Sequence, residues 1–324
     1  MFLSIALPIA LGFTIFLIGM KLMELALHQL AGPHLNRLLH RSTATPLHGL
    51  AVGTATTAFL QSSTAVTVIA IGLVNTGLLT FPRTLGIILG SNIGTCLTTE
   101  LIGLNLNRLA IPLLVASTIG WLVTALLDEY NLLRLHDALL SKLAVIRSGC
   151  VALGGFSVLL AGMTIMQSVG SDVQQSELFG WFLDRARASL WWGLAAGAIL
   201  TAIVHSSAAV IGIIMGFASI GAMPLELGVA VVLGANIGTC ATALLASIGG
   251  TKGGQFVALS HIALNAGGAL LFMPFIGELA VASGWMAYSP ASQIAHAQTI
   301  FNVASSLLAL PLCYLPVFRK LQSA

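Results

Sequence analysis

The sequence predicts an all-α integral membrane protein made of two inverted-topology repeats, each with a re-entrant helical hairpin and a broken helix. Three observations lead to this fold class. Hydrophobic residues make up 57% and charged residues 7% of the 324 residues, whereas about a quarter of a soluble domain is charged. Several apolar stretches are long enough to cross a bilayer. Finally, the motif QSS at Gln61 returns as HSS at His205, 144 positions further on.

Seven apolar stretches are predicted to cross the membrane as helices, because each has roughly 18 or more residues and about 20 residues of helix span the hydrocarbon core. The first stretch lacks a basic leader and a clear cleavage site, so we expect a retained span rather than a signal peptide. The stretches are residues 3–20, 84–104, 109–127, 150–168, 227–249, 256–275 and 293–317.

An internal repeat organises the chain. Residues 49–100 and 193–244 share about 21 identities in 52 positions aligned without a gap. Upstream, GMKLM from Gly19 and GMTIM from Gly162 extend the match, which makes the stretch at 150–168 the second copy of the first span. We therefore expect a first repeat over residues 1–146 and a second over 147–324, the second with an additional C-terminal span.

Each repeat contains a segment predicted to enter the membrane and return without crossing it, over about 47–79 and 189–223. The apolar halves are too short to span, and they meet at a polar kink. Non-helical backbone at that depth must face a cavity, since lipid cannot satisfy its polar groups. The half-helix after each kink would point its free N–H groups into that cavity, where an anion can bind without Lys or Arg. The kink residues are Gln61, Ser62, Ser63 and Thr64 in the first copy and His205, Ser206 and Ser207 in the second.

The basic residues indicate an orientation. Three crossings separate the two hairpins in this scheme, and an odd number inverts the second copy. Only Arg108, Arg185 and Arg187 then fall on one side, so the positive-inside rule places the N-terminus outside and the C-terminus in the cytoplasm of an inner or plasma membrane. The opposite side holds Lys21, Arg37, Arg41, Arg83, Arg134, Lys142, Arg147, Lys252, Arg319 and Lys320.

A second paired motif predicts ion sites. LGSNIGTCLTT at 89–99 and LGANIGTCATA at 233–243 place glycines around an Asn and a Thr. An unwound turn there would expose carbonyl oxygens beside threonine hydroxyls, a set of hard oxygen ligands that Na⁺ accepts. Sodium is the one metal ion we expect. Its predicted ligands are Asn92, Thr95, Thr98, Asn236, Thr239 and Thr242.

Two later helices carry polar pairs at the i, i+4 spacing that puts both members on one face. These are His261 with Asn265, and Gln298 with Asn302. Polar side chains in mid-span are costly unless they face the interior, so we expect them to support the same cavity.

Structural interpretations compete with these. Small and hydroxyl residues commonly serve helix packing in membranes, although their paired occurrence with QSS and HSS weakens that interpretation here. A lone His261 is more often a hydrogen-bonding partner than a ligand. Glu100 and Glu278 fall at predicted span ends, where solvent is the expected partner. A membrane protease is disfavoured because the chain has no GxSxG pattern.

Taken together, the residues resemble the type II sodium/phosphate cotransporter family, in particular a bacterial member without a C-terminal soluble domain. The resemblance rests on QSS, the GxNIGT helix after it, the duplication of both and Phe301-Asn302, and it covers about residues 49–302. It implies Na⁺-coupled transport of inorganic phosphate, with phosphate held by the two hairpin tips and sodium beside them. We expect alternating access, no enzymatic activity and no cofactor, with Na⁺ as the coupling ion. Expected partners are phosphate, Na⁺ and the lipid bilayer, and the formation of a homo-oligomer is left open. A formal charge of +3 is too small to indicate binding to nucleic acid.

Departures from the family pattern leave alternatives open. His205 replaces a second Gln and can titrate near neutral pH, and Ala208 lacks the hydroxyl of Thr64. Cys96 and Cys240 stand where a further hydroxyl is expected. The alternatives are a carrier of another small anion, an H⁺-driven phosphate carrier, and a non-transporting membrane phosphate receptor or scaffold. The duplication argues against the last, because a receptor needs access from one side only.

Overall fold

The computed structural model describes residues 2–41, 44–129 and 137–315. Over these ranges the chain is helical and contains no strand, which confirms the all-α prediction. Three basic residues used to orient the chain, Arg134, Arg319 and Lys320, lie outside the described residues, as does the end of the predicted last span. The helices are α1 Phe2–Arg41, α2 Pro46–Leu60, α3 Ser63–Asn75, α4 Phe81–Gly103, α5 Ala110–Glu129, α6 Asp137–Ser168, α7 Gly170–Gln174, α8 Glu177–Ala188, α9 Trp191–Val204, α10 Ser207–Ser219, α11 Leu225–Gly238, α12 Cys240–Ser247, α13 Lys252–Phe272, α14 Ile276–Gly284 and α15 Pro290–Ala309.

The protein is a multi-pass membrane protein. Large apolar side chains are exposed along the long helices, among them Ile111 at 74%, because lipid rather than protein covers them. The helices α3, α9 and α10 are apolar but only 13 or 14 residues long. Within the described ranges, seven segments are long and apolar enough to cross a bilayer: Ser4–Leu30, Phe81–Gly103, Asn107–Asp128, Lys142–Ser168, Leu225–Ser247, Lys252–Gly284 and Pro290–Tyr314.

The chain forms two compact units. The first consists of Met1–Pro33 and Leu106–Val169, and here α1 and α6 cross in close contact. A Cβ atom added at Gly12 would lie 2.8 Å from the carbonyl oxygen of Gly162, and one added at Gly19 would lie 2.6 Å from that of Gly155. The crossing order shows that α1 and α6 are antiparallel. Glycine permits this approach because it has no side chain to separate the backbones.

The second unit, His34–Asn105 with Gly170–Ala324, contains both kinked segments. The helix pair α2 and α3 is followed by α4, and the pair α9 and α10 is followed by α11 and α12. Helix α2 packs on α4 and α9 packs on α11 through equivalent glycines. A Cβ atom at Gly90 would collide with the carbonyl oxygen of Leu50, and one at Gly234 would collide with that of Leu194. The local structure is therefore duplicated along with the sequence.

The compact units group helices by packing and not by repeat, since the equivalent helices α1 and α6 share one unit. The repeat boundaries at 146 and 147 stay a prediction, and so do the inverted orientation of the copies and the placement of the termini.

The NIGTC segments differ from the predicted unwound turns. Helix α4 continues without a break through Asn92 and Thr95 to Gly103. In the second copy α11 ends at Gly238 and α12 begins at Cys240, but Thr239 between them keeps helical angles of φ −61° and ψ −23°. The expectation of an unwound turn was wrong for α4, because Gly86, Gly90 and Gly94 accommodate the neighbouring helix α2 instead of bending the backbone.

The last helices pack on this unit through apolar and hydroxyl contacts. Phe301 on α15 lies in a buried cluster with residues of α11, α13 and α14. Helix α15 runs antiparallel to α4, since Ser292 Oγ donates to the Gly103 carbonyl oxygen (2.6 Å) and Ser306 Oγ donates to that of Leu89 (3.1 Å). The predicted C-terminal span thus packs along α4, the helix that contains the first NIGTC motif.

Proline and hydroxyl caps set several helix starts. Thr45 precedes Pro46 at the start of α2, and its hydroxyl accepts a hydrogen bond from the His48 N–H (3.3 Å). Ser289 does the same for α15. Proline suits a first turn because its missing N–H would have no partner there. Helix α4 also has a proline in its first turn, but Thr80 provides no side-chain cap.

Candidate functional site

The first kink is a helix-to-helix junction of two residues. Gln61 adopts left-handed angles, φ 56° and ψ 25°, and its N–H donates to the Thr57 carbonyl oxygen (2.8 Å), which ends α2. Ser62 is extended and its Oγ accepts from the Ala65 N–H (3.3 Å), which caps α3. A left-handed non-glycine residue is uncommon, so surrounding contacts must hold it in place.

The second kink has the same geometry. His205 has φ 58° and ψ 24°, and its N–H donates to the Thr201 carbonyl oxygen (2.8 Å). The Ser206 Oγ accepts from the Ala209 N–H (3.2 Å) at the start of α10. The sequence repeat therefore encodes one backbone structure twice, even though Gln and His differ at the left-handed position.

Each junction presents the start of a helix whose first N–H groups have no intrahelical acceptor. The cap serine satisfies one of them, at Ala65 or Ala209. The hydroxyls of Ser63, Thr64 and Ser207 form no hydrogen bond with any residue in the described ranges. Backbone and hydroxyl donors beside the positive end of a helix dipole suit an oxyanion.

The two junctions differ in their side chains. Gln61 is held in place, since its Oε1 accepts from Thr98 Oγ1 (2.7 Å) and its Nε2 donates to the Ala58 carbonyl oxygen. His205 is exposed, and Thr242, the equivalent of Thr98, donates instead to the Thr239 carbonyl oxygen (2.8 Å). Thr98, a predicted sodium ligand, thus contacts the first tip, whereas Thr242 makes no hydrogen bond to His205.

Asparagine side chains connect the two NIGTC motifs. Asn92 Nδ2 on α4 donates to Asn265 Oδ1 on α13 (2.6 Å), and Asn265 Nδ2 donates to the Asn236 carbonyl oxygen on α11 (2.8 Å). His261 Nε2 lies 3.1 Å from the same Asn265 nitrogen. The hydroxyl of Thr239 lies 3.5 Å from that nitrogen. The structure therefore brings predicted ion-site residues of both copies to one buried amide.

Helix α15 extends this polar region along α4. Asn302 Nδ2 donates to the Asn92 carbonyl oxygen (3.1 Å) and to Cys96 Sγ (3.2 Å). Gln298 is fully buried and its Oε1 accepts from Thr99 Oγ1. Thr95 donates to its own helix, at the Ser91 carbonyl oxygen (2.7 Å).

Several buried polar atoms have no partner among the described residues. They include Gln298 Nε2, His261 Nδ1 and the hydroxyls of Thr57 and Thr201. An unpaired buried polar group costs about 1–3 kcal/mol, so such atoms mark places where water, an ion or a ligand is expected. Thr57 and Thr201 are equivalent and each lies four residues before a junction.

The structure contains one polar cluster that the sequence analysis did not predict. Glu100 on α4 accepts from Thr299 Oγ1 and lies 2.9 Å from His296 Nδ1 on α15. Its expected partner was solvent, and that expectation was wrong because α15 covers the end of α4. The sequence contained a signal, since Ser292, His296 and Thr299 recur every three or four residues on one helical face.

The chain matches a known family over most of its length. Residues 15–154 and 158–310 match the model of the Na⁺/Pi-cotransporter family, which covers both junctions and both NIGTC motifs. The chain belongs to the Na⁺/Pi-cotransporter family. This is a family of transporters and not of enzymes, and Na⁺ is a coupling ion rather than a cofactor.

Relatives of this Na⁺/Pi-cotransporter family member include the "uncharacterized protein YqeW" of Bacillus subtilis, 36% identical over 92% of this chain and 91% of that protein. YjbB of Escherichia coli, named for inorganic phosphate export, is 24% identical over 90% of this chain. The chain spans about half of YjbB, 51% of its length. The rat sodium-dependent phosphate transport protein 2A is 36% identical over 101 residues, 30% of this chain and 16% of that protein. No solved structure matches the chain significantly.

Within this Na⁺/Pi-cotransporter family member, the described residues include no group of three or more His, Cys, Asp or Glu side chains that could hold a metal ion. The predicted sodium ligands are instead hydroxyls and amides. Each hydroxyl of Thr95, Thr98, Thr239 and Thr242 donates its hydrogen to a neighbouring oxygen. That arrangement leaves hydroxyl lone pairs, which are suitable ligands for a hard cation.

Proposed function

We propose that this protein carries inorganic phosphate across the membrane together with Na⁺ by alternating access, and that phosphate binds between the two hairpin tips. The observation that carries the proposal is the matched pair of junctions, in which one left-handed residue, one serine cap and one helix start occur twice. A duplicated anion-binding element in a chain of this family suits a substrate that is reached from two sides.

Phosphate would bind through the N–H groups at the starts of α3 and α10 and through the hydroxyls of Ser62, Ser63, Ser206 and Ser207. Neither tip contains Lys or Arg. A phosphate dianion in a site of low dielectric therefore needs another source of positive charge, and Na⁺ provides it. Each ligand then raises the affinity for the other by the same factor.

The packing of the first unit supports the inverted arrangement. Gly12 of α1 corresponds to Gly155 of α6, and Gly19 corresponds to Gly162. Gly12 lies against Gly162 and Gly19 lies against Gly155, so the two helices cross symmetrically and antiparallel, as expected of copies that run in opposite directions. In this proposal the re-entrant hairpins are α2 with α3 and α9 with α10.

The direction of net flux would follow the gradients, because a coupled carrier is reversible. The name of YjbB indicates export for that relative, so both directions need testing. A purified protein in sealed liposomes meets this requirement, since the gradients are imposed from outside.

The test is uptake of radiolabelled phosphate into proteoliposomes under an inward Na⁺ gradient, with choline and H⁺ gradients as parallel conditions. We expect Na⁺-dependent uptake that falls about tenfold or more in Ser63→Ala, because a hydrogen bond to a charged ligand contributes about 1.5–3 kcal/mol. Ser62→Thr keeps the hydroxyl cap and should retain activity. The matched control is Ser168→Ala, whose hydroxyl bonds only within its own helix.

Equal uptake in sodium and choline buffers would contradict the sodium coupling, and uptake driven by H⁺ alone would favour coupling through His205. Absence of phosphate flux under every gradient, with an intact fold, would contradict the choice of substrate. Flux of sulfate or a phosphonate in the same liposomes would then identify a carrier of another anion.

A further inference from the structure

A cavity lies in the second unit, at the end of α2 opposite the first hairpin tip. It has a volume of about 290 Å³ and lies at the starts of α2 and α4, beside the 3-10 turn Leu310–Tyr314 that follows α15. Helix α2 alone separates this cavity from Gln61 by about 22 Å, at 1.5 Å per residue. The cavity therefore cannot be part of the proposed transport site.

The chemistry of the lining is cationic and hydroxylic. Arg83 lines the cavity together with the hydroxyl-bearing residues Thr45, Thr80 and Tyr314, and no acidic residue is among the described residues of the lining. A cavity with one guanidinium, several hydroxyl donors and no carboxylate favours an anion over a cation.

Arg83 is half-buried and forms no ion pair or hydrogen bond within the described ranges. Some other cations are paired, since Lys21 lies 3.0 Å from Glu24 and Arg147 lies 2.8 Å from Asp128. A guanidinium presents five N–H donors in a planar fork that matches phosphate oxygens. Arg83 thus retains its full binding capacity at the cavity wall.

Further donors line the same cavity. The Tyr314 hydroxyl oxygen accepts from the Leu47 N–H (3.3 Å), which leaves the tyrosine hydrogen available for a ligand. The Thr80 side chain makes no cap hydrogen bond at the start of α4. The uncapped start of a 23-residue helix adds a positive dipole end to the same wall.

The repeat shows that the fold does not require this cation. The residues of the second copy equivalent to Thr80 and Arg83 are Pro224 and Leu227, and α11 has Glu226 in its first turn. Both copies nevertheless build the same helix pair, α2 with α4 and α9 with α11. Arg83 is therefore an addition to one copy and not a packing element of both.

We propose that this cavity is a separate oxyanion site that binds a phosphate group, with Arg83 as its main anion-binding residue and Tyr314 and Thr80 as hydroxyl donors. The phosphate group belongs either to free inorganic phosphate or to the headgroup of an anionic phospholipid. The site does not depend on the proposed transport function, because it shares no residue with the hairpin tips.

The experiment uses the full chain, purified in a neutral detergent, in two arms. In the first arm, phosphatidylglycerol is titrated and bound lipid is counted by native mass spectrometry. In the second arm, binding of radiolabelled inorganic phosphate is measured in sodium-free buffer with the Ser63→Ala variant, which weakens the proposed transport site. Arg83→Gln is compared in both arms with Arg108→Gln, a control that removes an exposed arginine outside the cavity.

We expect Arg83→Gln to weaken binding about tenfold in one arm while Arg108→Gln leaves it unchanged. A loss in the lipid arm identifies the ligand as a headgroup, and a loss in the other arm identifies free phosphate. Should Arg83→Gln fail to fold, Arg83→Lys keeps the charge without the planar fork, and we expect an intermediate loss. Binding that is the same in wild type and the Arg83 variants in both arms would overturn the site, whatever the transport assay shows.

Discussion

At the scale of single residues, Asn265 joins three helices with one amide. Its oxygen accepts from Asn92 on α4 and its nitrogen donates to the Asn236 carbonyl oxygen on α11. An amide can do this because it carries donors and an acceptor in one plane, which neither a hydroxyl nor a carboxylate can reproduce. The residue is buried, so each lost bond would leave an unpaired polar atom.

Replacing Asn265 should therefore destabilise the protein more than its small volume suggests. We expect Asn265→Ala to lower the free energy of unfolding by about 2–4 kcal/mol, since it leaves Asn92 Nδ2 and the Asn236 oxygen without this partner. The measurement is thermal unfolding in detergent, followed with a dye that reacts with exposed thiols, because Cys96, Cys240 and Cys313 are buried.

Gln175→Ala is the matched control, since it removes an exposed amide without a side-chain hydrogen bond to the described residues. Its melting temperature should stay within a degree or so of wild type. Equal melting temperatures for Asn265→Ala and wild type would show that the amide bridge contributes no net stability.

At the scale of elements, the contact between α2 and α4 depends on glycine. A Cβ atom at Gly90 would collide with the Leu50 carbonyl oxygen, and backbone atoms cannot turn aside as a side chain can. Gly72 on α3 has no atom within 4 Å of the equivalent Cβ position. Both glycines are helical, so replacing each of them with alanine changes helix propensity in the same way. Comparison of the two variants therefore isolates the effect of close packing.

We expect Gly90→Ala to force α2 away from α4 and to reduce stability by about 1–3 kcal/mol or more, with loss of transport. Gly72→Ala should be neutral or raise stability by about 0.5–1 kcal/mol, because alanine has the higher helix propensity. Both variants are compared by thermal unfolding and by phosphate uptake. A stable, active Gly90→Ala would mean that the helices separate without cost.

At the scale of the whole molecule, the predicted orientation can be tested by labelling from one side. In the predicted topology Arg108 faces outward and Lys252 faces the cytoplasm, and both are exposed. In intact cells, a thiol reagent that cannot cross membranes should label Arg108→Cys and should reach Lys252→Cys only after permeabilisation. Three of the four native cysteines are buried and Cys150 is half-buried, so the unmodified chain serves as the blank.

Three crossings, 109–127, 150–168 and 227–249, separate Arg108 from Lys252 in the predicted topology, so labelling of both positions in intact cells would contradict that topology, because it requires an even number of crossings between them. Labelling of Lys252→Cys but not Arg108→Cys in intact cells would still agree with inverted repeats. It would change only which side of the membrane is cytoplasmic.

The sequence by itself determined the helical membrane class, the duplication and the positions of both junctions. Composition and span length depend on the bilayer as a solvent, and the junctions depend on local backbone chemistry at Gln61 and His205. These are properties of nearby residues, so a linear pattern is sufficient to predict them.

Only the tertiary structure decided the partners of polar side chains far apart in the chain. Asn265 forms a hydrogen bond with Asn92, which is 173 residues away in the sequence, and Glu100 forms one with His296, which is 196 residues away. It also decided that Gly86, Gly90 and Gly94 of α4 serve packing on α2 instead of unwinding the helix. The physical reason is that hydrogen bonds and steric contacts between helices depend on how the helices pack, and periodicity within one helix gives its polar face but not the residue opposite.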